Sequence, residues 1–371
     1  MNLKSILRLL VLVVFFLNSS YFLPSQQQRI NRYSKENLRK IRQKWLKKFP
    51  VAEDAIELEK LKSFLSKELI EKGGFLWKPL GITPLPNGNI IVNDQKAHHI
   101  LMFDDYGYLI RKIGKNGQGP GEFVNPYSMT ATPNAIIISD NGNMRIQFFD
   151  FEGNYIRSFK IFKALWDIET THNGLIYGVP MRVRPEEELI NVMNNDGVIL
   201  NTFGEARFDI GKSNWLIPNM VRNISINNKN ELFLAFDYFP LICKYSEKGE
   251  LIAEYKLNHD LMKEKEKINL NHFKNNQNRN GLMPVIRSIR ADINSFYVLY
   301  SYPRAGILEY NMEGKIQKEY YYEYTKEEDP HFIDFIVKDK EGEKSFYLLK
   351  ESQENEIVIL RPRKSLSKGR R

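Results

Sequence analysis

The chain has 371 residues, 54 of them Lys or Arg and 45 Asp or Glu, for a net charge of +9. That length admits one large domain with an appendage. The basic residues are dispersed among acids and no RNA- or DNA-binding motif is present, so nucleic acid is not an expected partner. A single cysteine, Cys243, excludes an intrachain disulfide. It lies in an apolar strand and reads as a small core residue.

The N-terminus reads as an export signal. Lys4 and Arg8 form a basic region, residues 9–17 are wholly apolar, and Leu23-Pro24-Ser25 offers a cleavage site before Gln26. Residues 1–25 are therefore expected to be removed, leaving a periplasmic or extracellular protein. The alternative is an uncleaved membrane anchor, since residues 6–23 approach the length that spans a bilayer. Asn18-Ser19-Ser20 interrupts the apolar run and favours cleavage. No cysteine stands near the cleavage point, which argues against lipid anchoring.

Residues 26–74 are highly charged and helical in pattern. Leu38, Ile41 and Trp45 recur at helical spacing, as do Leu58, Leu61 and Leu65. Asp54 with Glu57 resembles a capping box, Pro50 separates the two predicted helices, and Gly73-Gly74 ends the second. A helical hairpin, a docking arm and a spacer from the membrane all fit this pattern.

From residue 75 to 362 one unit repeats. Its anchor is a turn glycine: Gly107, Gly153, Gly197, Gly249 and Gly314. An isoleucine always precedes it by seven positions, at Ile100, Ile146, Ile190, Ile242 and Ile307. A small polar residue precedes it by three, at Asp104, Asp150, Asn194, Ser246 and Asn311. Glycine tolerates positive φ and the short polar side chains bond back onto the turn, so this is hairpin chemistry. Each copy has β-rich runs upstream, giving about four strands in about 45 residues, the period of a propeller blade. A sixth unit, at 346–348 and 357–360, stops before its last turn. The predicted fold is an all-β, six-bladed β-propeller of four-stranded antiparallel blades, with a basic tail at 363–371. Residues 75–78 are a candidate to supply the missing outer strand of the sixth blade.

In the second unit Asp140, Asn143, Arg145 and Ile146, followed by Phe149-Asp150 and Gly153, resemble the NHL repeat. The loop at 114–126 resembles the inter-blade loop of secreted bacterial six-bladed propellers. The resemblance covers roughly residues 75–362, and in the first unit the polar signature departs to Asp94 and His99. It implies the fold. Propellers of this type include binding scaffolds, lyases and lactonases, so it does not choose an activity.

Strand order places the long connections on one face. The turns on the opposite face are tight, whereas residues 181–188, 204–218 and 257–284 are enlarged. Long loops gathered on one side of a rigid scaffold are where binding concentrates. Arg145, Arg182, Arg184, Trp215, Tyr238, Tyr302 and Arg304 are the candidate ligand-binding residues, since arginine with aromatics suits a carboxylate, sugar or peptide. Asp94, His99, Asp140 and Asp237 are candidate ligands for Ca or Zn in the central channel, with turn capping as the rival role. No cofactor is otherwise predicted. Residues 114–121 lack the Lys-Ser/Thr ending of a phosphate loop, and no nucleophile elbow appears. The expected function is a monomeric, non-enzymatic scaffold for a protein, small-molecule or carbohydrate ligand. The alternatives are a metal-dependent propeller lyase or hydrolase and a membrane-tethered component of an envelope complex.

Overall fold

The computed structural model describes residues 35–64, 76–208, 216–217, 219–275, 282–323, 331–352 and 355–364. The expected export signal, most of the basic tail and Trp215 lie outside the described residues. The chain divides into two compact units, residues 1–50 and 51–371. In the first, helix α1 (Lys35–Lys48) carries the predicted Ile41 and Trp45 spacing, and the Trp45 and Phe49 rings lie 5.4 Å apart.

The second unit is built of β-sheets, antiparallel throughout except where β1 meets β21. It opens with strand β1 (Ile56–Phe64). Four sheets then follow in chain order, each of four strands. They are β2–β5 (Pro79–Pro84, Ile90–Asp94, His99–Phe103, Leu109–Ile113) and β6–β9 (Pro126–Ala131, Ile136–Asp140, Arg145–Phe149, Tyr155–Lys160). The next two are β10–β13 (Leu165–Thr170, Ile176–Pro180, Ile190–Met193, Ile199–Phe203) and β14–β17 (Val221–Ile226, Leu232–Phe236, Leu241–Tyr245, Leu251–Lys256). The remaining strands are β18–β21 (Ser288–Ala291, Ser295–Tyr300, Ala305–Asn311, Ile316–Tyr322) and β22–β24 (Phe332–Lys340, Glu343–Lys350, Glu356–Pro362). With β1 they form one eight-stranded sheet in the order β18-β19-β20-β21-β1-β24-β23-β22. This is a propeller of four-stranded blades plus one composite sheet.

The five anchor glycines make one turn. Gly107 has φ +85° and its N–H reaches the Asp104 carbonyl at 3.0 Å, while the Asp104 carboxylate accepts from Tyr106 N and Tyr108 N. The other four repeat the same backbone bond. Their middle strands are almost wholly buried, and apolar clusters fill the spaces between successive sheets. Apolar burial there supplies most of the cohesion, at about 25 cal/mol per Å².

Residues 56–64 correct the helical expectation. Leu58 and Leu61 sit at helical spacing, but the segment is an extended strand pairing antiparallel with β24 and, through Ile56 and Glu57, parallel with β21. A bulge at Leu61 explains the ambiguous pattern. Leu58 and Phe64 have the same parity, so a regular strand would put both on one face. The extra residue reverses the phase. Leu58 therefore packs with Tyr297, Tyr320 and Phe346, and Phe64 packs with Phe103 and Tyr347 on the other side. Leu61, the bulged residue, is 44% exposed. The strand that completes the last sheet is thus Ile56–Phe64 and not residues 75–78. Trp77 and Lys78 instead donate their backbone N–H groups to Asp94 at the entrance to β2.

The 257–284 connection, expected as a loop, contains helix α2 (Asp260–Asn275). Leu261, Lys265, Asn269 and Phe273 recur every four residues on its buried face. Phe273 packs on Tyr238 and Phe239, and Asn269 donates to the carbonyls of Tyr238 and Met283.

Candidate functional site at the mouth of the central channel

The first strands of the sheets face the axis. β2 packs on β6, β6 on β10, β10 on β14, β14 on β18, β18 on β22, and β22 back on β2. Each reads as four positions: Leu80-Gly81-Ile82-Thr83, Tyr127-Ser128-Met129-Thr130, Trp166-Asp167-Ile168-Glu169, Arg222-Asn223-Ile224-Ser225, Arg287-Ser288-Ile289-Arg290 and Ile333-Asp334-Phe335-Ile336. The third position is buried and apolar in every strand. The other three give the axis its chemistry.

The second position, with help from the fourth, stitches neighbouring strands together. Ser128 Oγ donates to Asp167 Oδ1 at 2.5 Å, and Ile224 N donates to Asp167 Oδ2 at 2.9 Å. Ala291 N donates to Ser225 Oγ at 2.9 Å. Ser288 Oγ and Ile82 N both donate to Asp334, at 2.6 and 2.9 Å. Thr83 Oγ1 donates to the Met129 carbonyl at 3.1 Å, and Asn93 Nδ2 to the Tyr127 carbonyl at 2.6 Å. Every junction of the ring is crossed by at least one such bond.

Deeper along the axis Thr130 Oγ1 donates to Glu169 and Arg290 pairs with Asp334 at 2.6 Å. Asp167 and Glu169 lie deep in the ring but still border the axial space. Burial pushes the Asp167 carboxyl up to about 6, against the pull of its Ser128 and Ile224 donors. Burial, and then the Asp167 charge, push Glu169 up to about 8.

The first position forms the mouth. In β2, β6, β10, β14 and β22 it falls at a β-bulge, and Arg287 immediately precedes β18. A bulged residue leaves the ladder and re-aims its side chain. All six residues start their strands, so they share the long-loop face. Tyr127 and Trp166 meet edge to face with centroids 5.5 Å apart. Arg222 Nε pairs with Asp237, whose other oxygen accepts the Arg222 backbone N–H at 3.1 Å. Burial lifts the Asp237 carboxyl and works against the Arg222 charge, whereas Asp237 holds the Arg222 guanidinium above its usual range. A guanidinium does not give up its proton in a protein, so the pair is ionised.

Arg287 is set differently. Its Nε donates to the Phe332 carbonyl at 3.4 Å, and no carboxylate among the described residues is in ion-pair contact with it. Burial and the neighbouring Arg222 charge disfavour its protonated form, while Glu351 and Asp237 partly offset them. Lys265 on α2 adds to the cationic field. Its amine donates to the Pro284 carbonyl at 3.2 Å, and burial, then Arg287, bring it down to about 7.

The structure does not bring the sequence-derived candidates together. Arg145 is 8% exposed and its guanidinium donates to Asp140 and to the carbonyls of Gln118, Gly119 and Glu122. It braces the 114–125 loop. Arg182 and Arg184 are exposed on the 181–188 loop, where Arg184 stands 3.9 Å from Glu186. Tyr238 is buried against Phe273 beside the mouth. Tyr302 precedes a cis proline, and Arg304, 5% exposed, pairs with Glu323 at 3.0 Å.

The candidate metal ligands are also dispersed. Asp94 caps the backbone of Trp77, Lys78 and Ala97, and Asp140 accepts from Val124 N, Asn143, Arg145 and Gln147. Asp237 serves Arg222. His99 is buried with neither ring nitrogen hydrogen-bonded, and burial lowers its affinity for a proton. Among the described residues no group of three or more His, Cys, Asp or Glu is placed to hold a metal ion. The surface concavity of about 370 Å³ beside Phe162 and Glu186–Glu188 lies at the outer rim, away from the mouth.

Arg222, Arg287, Glu169 and Asp334 went unrecognised as channel residues in the sequence. Their signal is the alignment of first strands, in which an apolar residue two positions downstream fixes each one.

A family model described as a domain of unknown function (DUF4934) matches residues 85–368. No curated protein matches. Among solved structures, the chain resembles BF0058 of Bacteroides fragilis NCTC 9343, described as a candidate exported protein, with 12% identity, TM-score 0.55, and coverage of 85% of this chain and 98% of that one. It also resembles a DUF4221 member from Bacteroides vulgatus ATCC 8482, with 12% identity, TM-score 0.53, and coverage of 84% and 99%. Virginiamycin B lyase from Staphylococcus aureus matches at 13% identity and TM-score 0.48, over 82% and 98%. Identities this low show a shared fold and carry no chemistry.

Proposed function

This chain belongs to the DUF4934 family, and we propose that it is an exported, non-enzymatic binding scaffold whose site is the mouth of the central channel on the long-loop face. We read the architecture as a six-bladed, NHL-like propeller. Support for that count comes from the six aligned first strands and from β1, which serves as the outer strand of the last blade. Support for export comes from the basic-then-apolar N-terminus.

The observation that carries the binding reading is Arg287. It is a partly exposed guanidinium with no ion-paired acid among the described residues, next to a second guanidinium and an aromatic pair. Keeping such a charge deep without a partner costs stability, which a ligand would return. The acids and histidines that would serve a metal-dependent lyase are tied into turns or scattered. The test is equilibrium binding of a panel of carboxylated, phosphorylated and neutral small molecules to the mature chain and to Arg287→Gln. At least one ligand should bind the parent and be weakened about tenfold or more by the substitution. Ligands that bind both proteins equally would place the site elsewhere.

A further inference from the structure

We infer that the channel mouth recognises a carboxylate, held end-on by the terminal nitrogens of Arg222 and Arg287. This rests on the mouth being the binding site.

The guanidinium geometry is the first argument. Arg222 spends Nε on Asp237 and Arg287 spends Nε on the Phe332 carbonyl. Neither Nη1 nor Nη2 of either residue has an acceptor among the described residues. Each arginine is therefore oriented from behind and presents its terminal N–H pair forward. That fork matches the two oxygens of a carboxylate.

Charge is the second argument. Asp237 already balances Arg222, and Glu351 lies within electrostatic reach of Arg287. Lys265 carries part of a charge near neutral pH. The residual field suits one negative charge better than two, which favours a carboxylate over a phosphate dianion. A sugar acid and an aromatic acid share this chemistry.

The test uses calorimetric titration of the mature full chain with galacturonate, 4-hydroxybenzoate, neutral galactose and inorganic phosphate. It is repeated on Arg287→Gln and on Arg287→Lys, which keeps the charge and loses the fork. Circular dichroism of each variant confirms folding. The expected result is binding of galacturonate that falls about tenfold or more in both variants, with galactose and phosphate weaker by a similar factor. Equal, Arg287-dependent binding of 4-hydroxybenzoate also supports the inference and identifies the source as an aromatic acid. Arg287-dependent binding of phosphate or galactose at least as tight as of the carboxylates overturns the inference and leaves the scaffold reading standing. If no probe depends on Arg287, both fail.

Discussion

Asp140 accepts hydrogen bonds from Val124 N, Asn143, Arg145 and Gln147 while wholly buried. A residue so occupied has little left for a ligand, and the same holds for Arg145. Arg145→Met is expected to destabilise the protein by about 3–5 kcal/mol, because it leaves Asp140 buried without its cation. Urea denaturation would measure this, and ligand affinity in the folded fraction should not change. Asp94 and Asp237 are engaged in the same way, so chelation is expected to leave the melting temperature unchanged. A fall on chelation, restored by Ca or Zn, would contradict that. The capping duty of Asp94 is legible in the sequence, whereas that of Arg145 is not, since a partner such as the Gln118 carbonyl is set by the fold. Glu169 gives a pH-dependent prediction. Its folded pKa of about 8 lies above the unfolded value, so folding favours the protonated form. The contribution of Glu169 to stability is fully present below about pH 4 and is lost as pH rises through about 8. Glu169→Gln should stabilise the protein at pH 9 by about 1–3 kcal/mol, with little effect at pH 4.

Strand β1 shows where pattern reading fails at the scale of elements. In the sequence Leu58, Leu61 and Leu65 have helical spacing, yet within β1 Leu61 is a bulge and the buried residues are Leu58 and Phe64. One inserted residue converts a strand into a sequence of helical appearance. The repeated hairpins were legible because their glycines, turn polar residues and isoleucines keep fixed offsets. Helix α2 was not, because Lys265 and Asn269 occupy half of its buried stripe. Phe64 lies against Gly107, where a Cβ would stand 2.1 Å from its ring. Phe64→Ala is expected to cost about 3–5 kcal/mol by thermal or chemical denaturation, and Leu61→Ala at the exposed bulge less than about 1 kcal/mol. Equal losses at the two positions would contradict the assigned register.

Across the whole molecule, β1 joins the early chain to β24 near the end of the fold, backed by Arg361–Glu59 and Arg363–Glu57 ion pairs. Closure of this kind holds the first strands in a ring, and the ring holds the mouth residues in fixed array. Loop lengths alone point to the long-loop face. They do not mark the residues proposed at the mouth, which come from strand starts and not from the loops. The most direct measurement is hydrogen–deuterium exchange of the mature chain with and without saturating galacturonate. Slower exchange is expected at the starts of β6, β10, β14 and β18, around Tyr127, Trp166, Arg222 and Arg287, with the tight-turn face unchanged. Protection confined to the tight turns around Gly153 and Gly249, or to the outer strands, would contradict it.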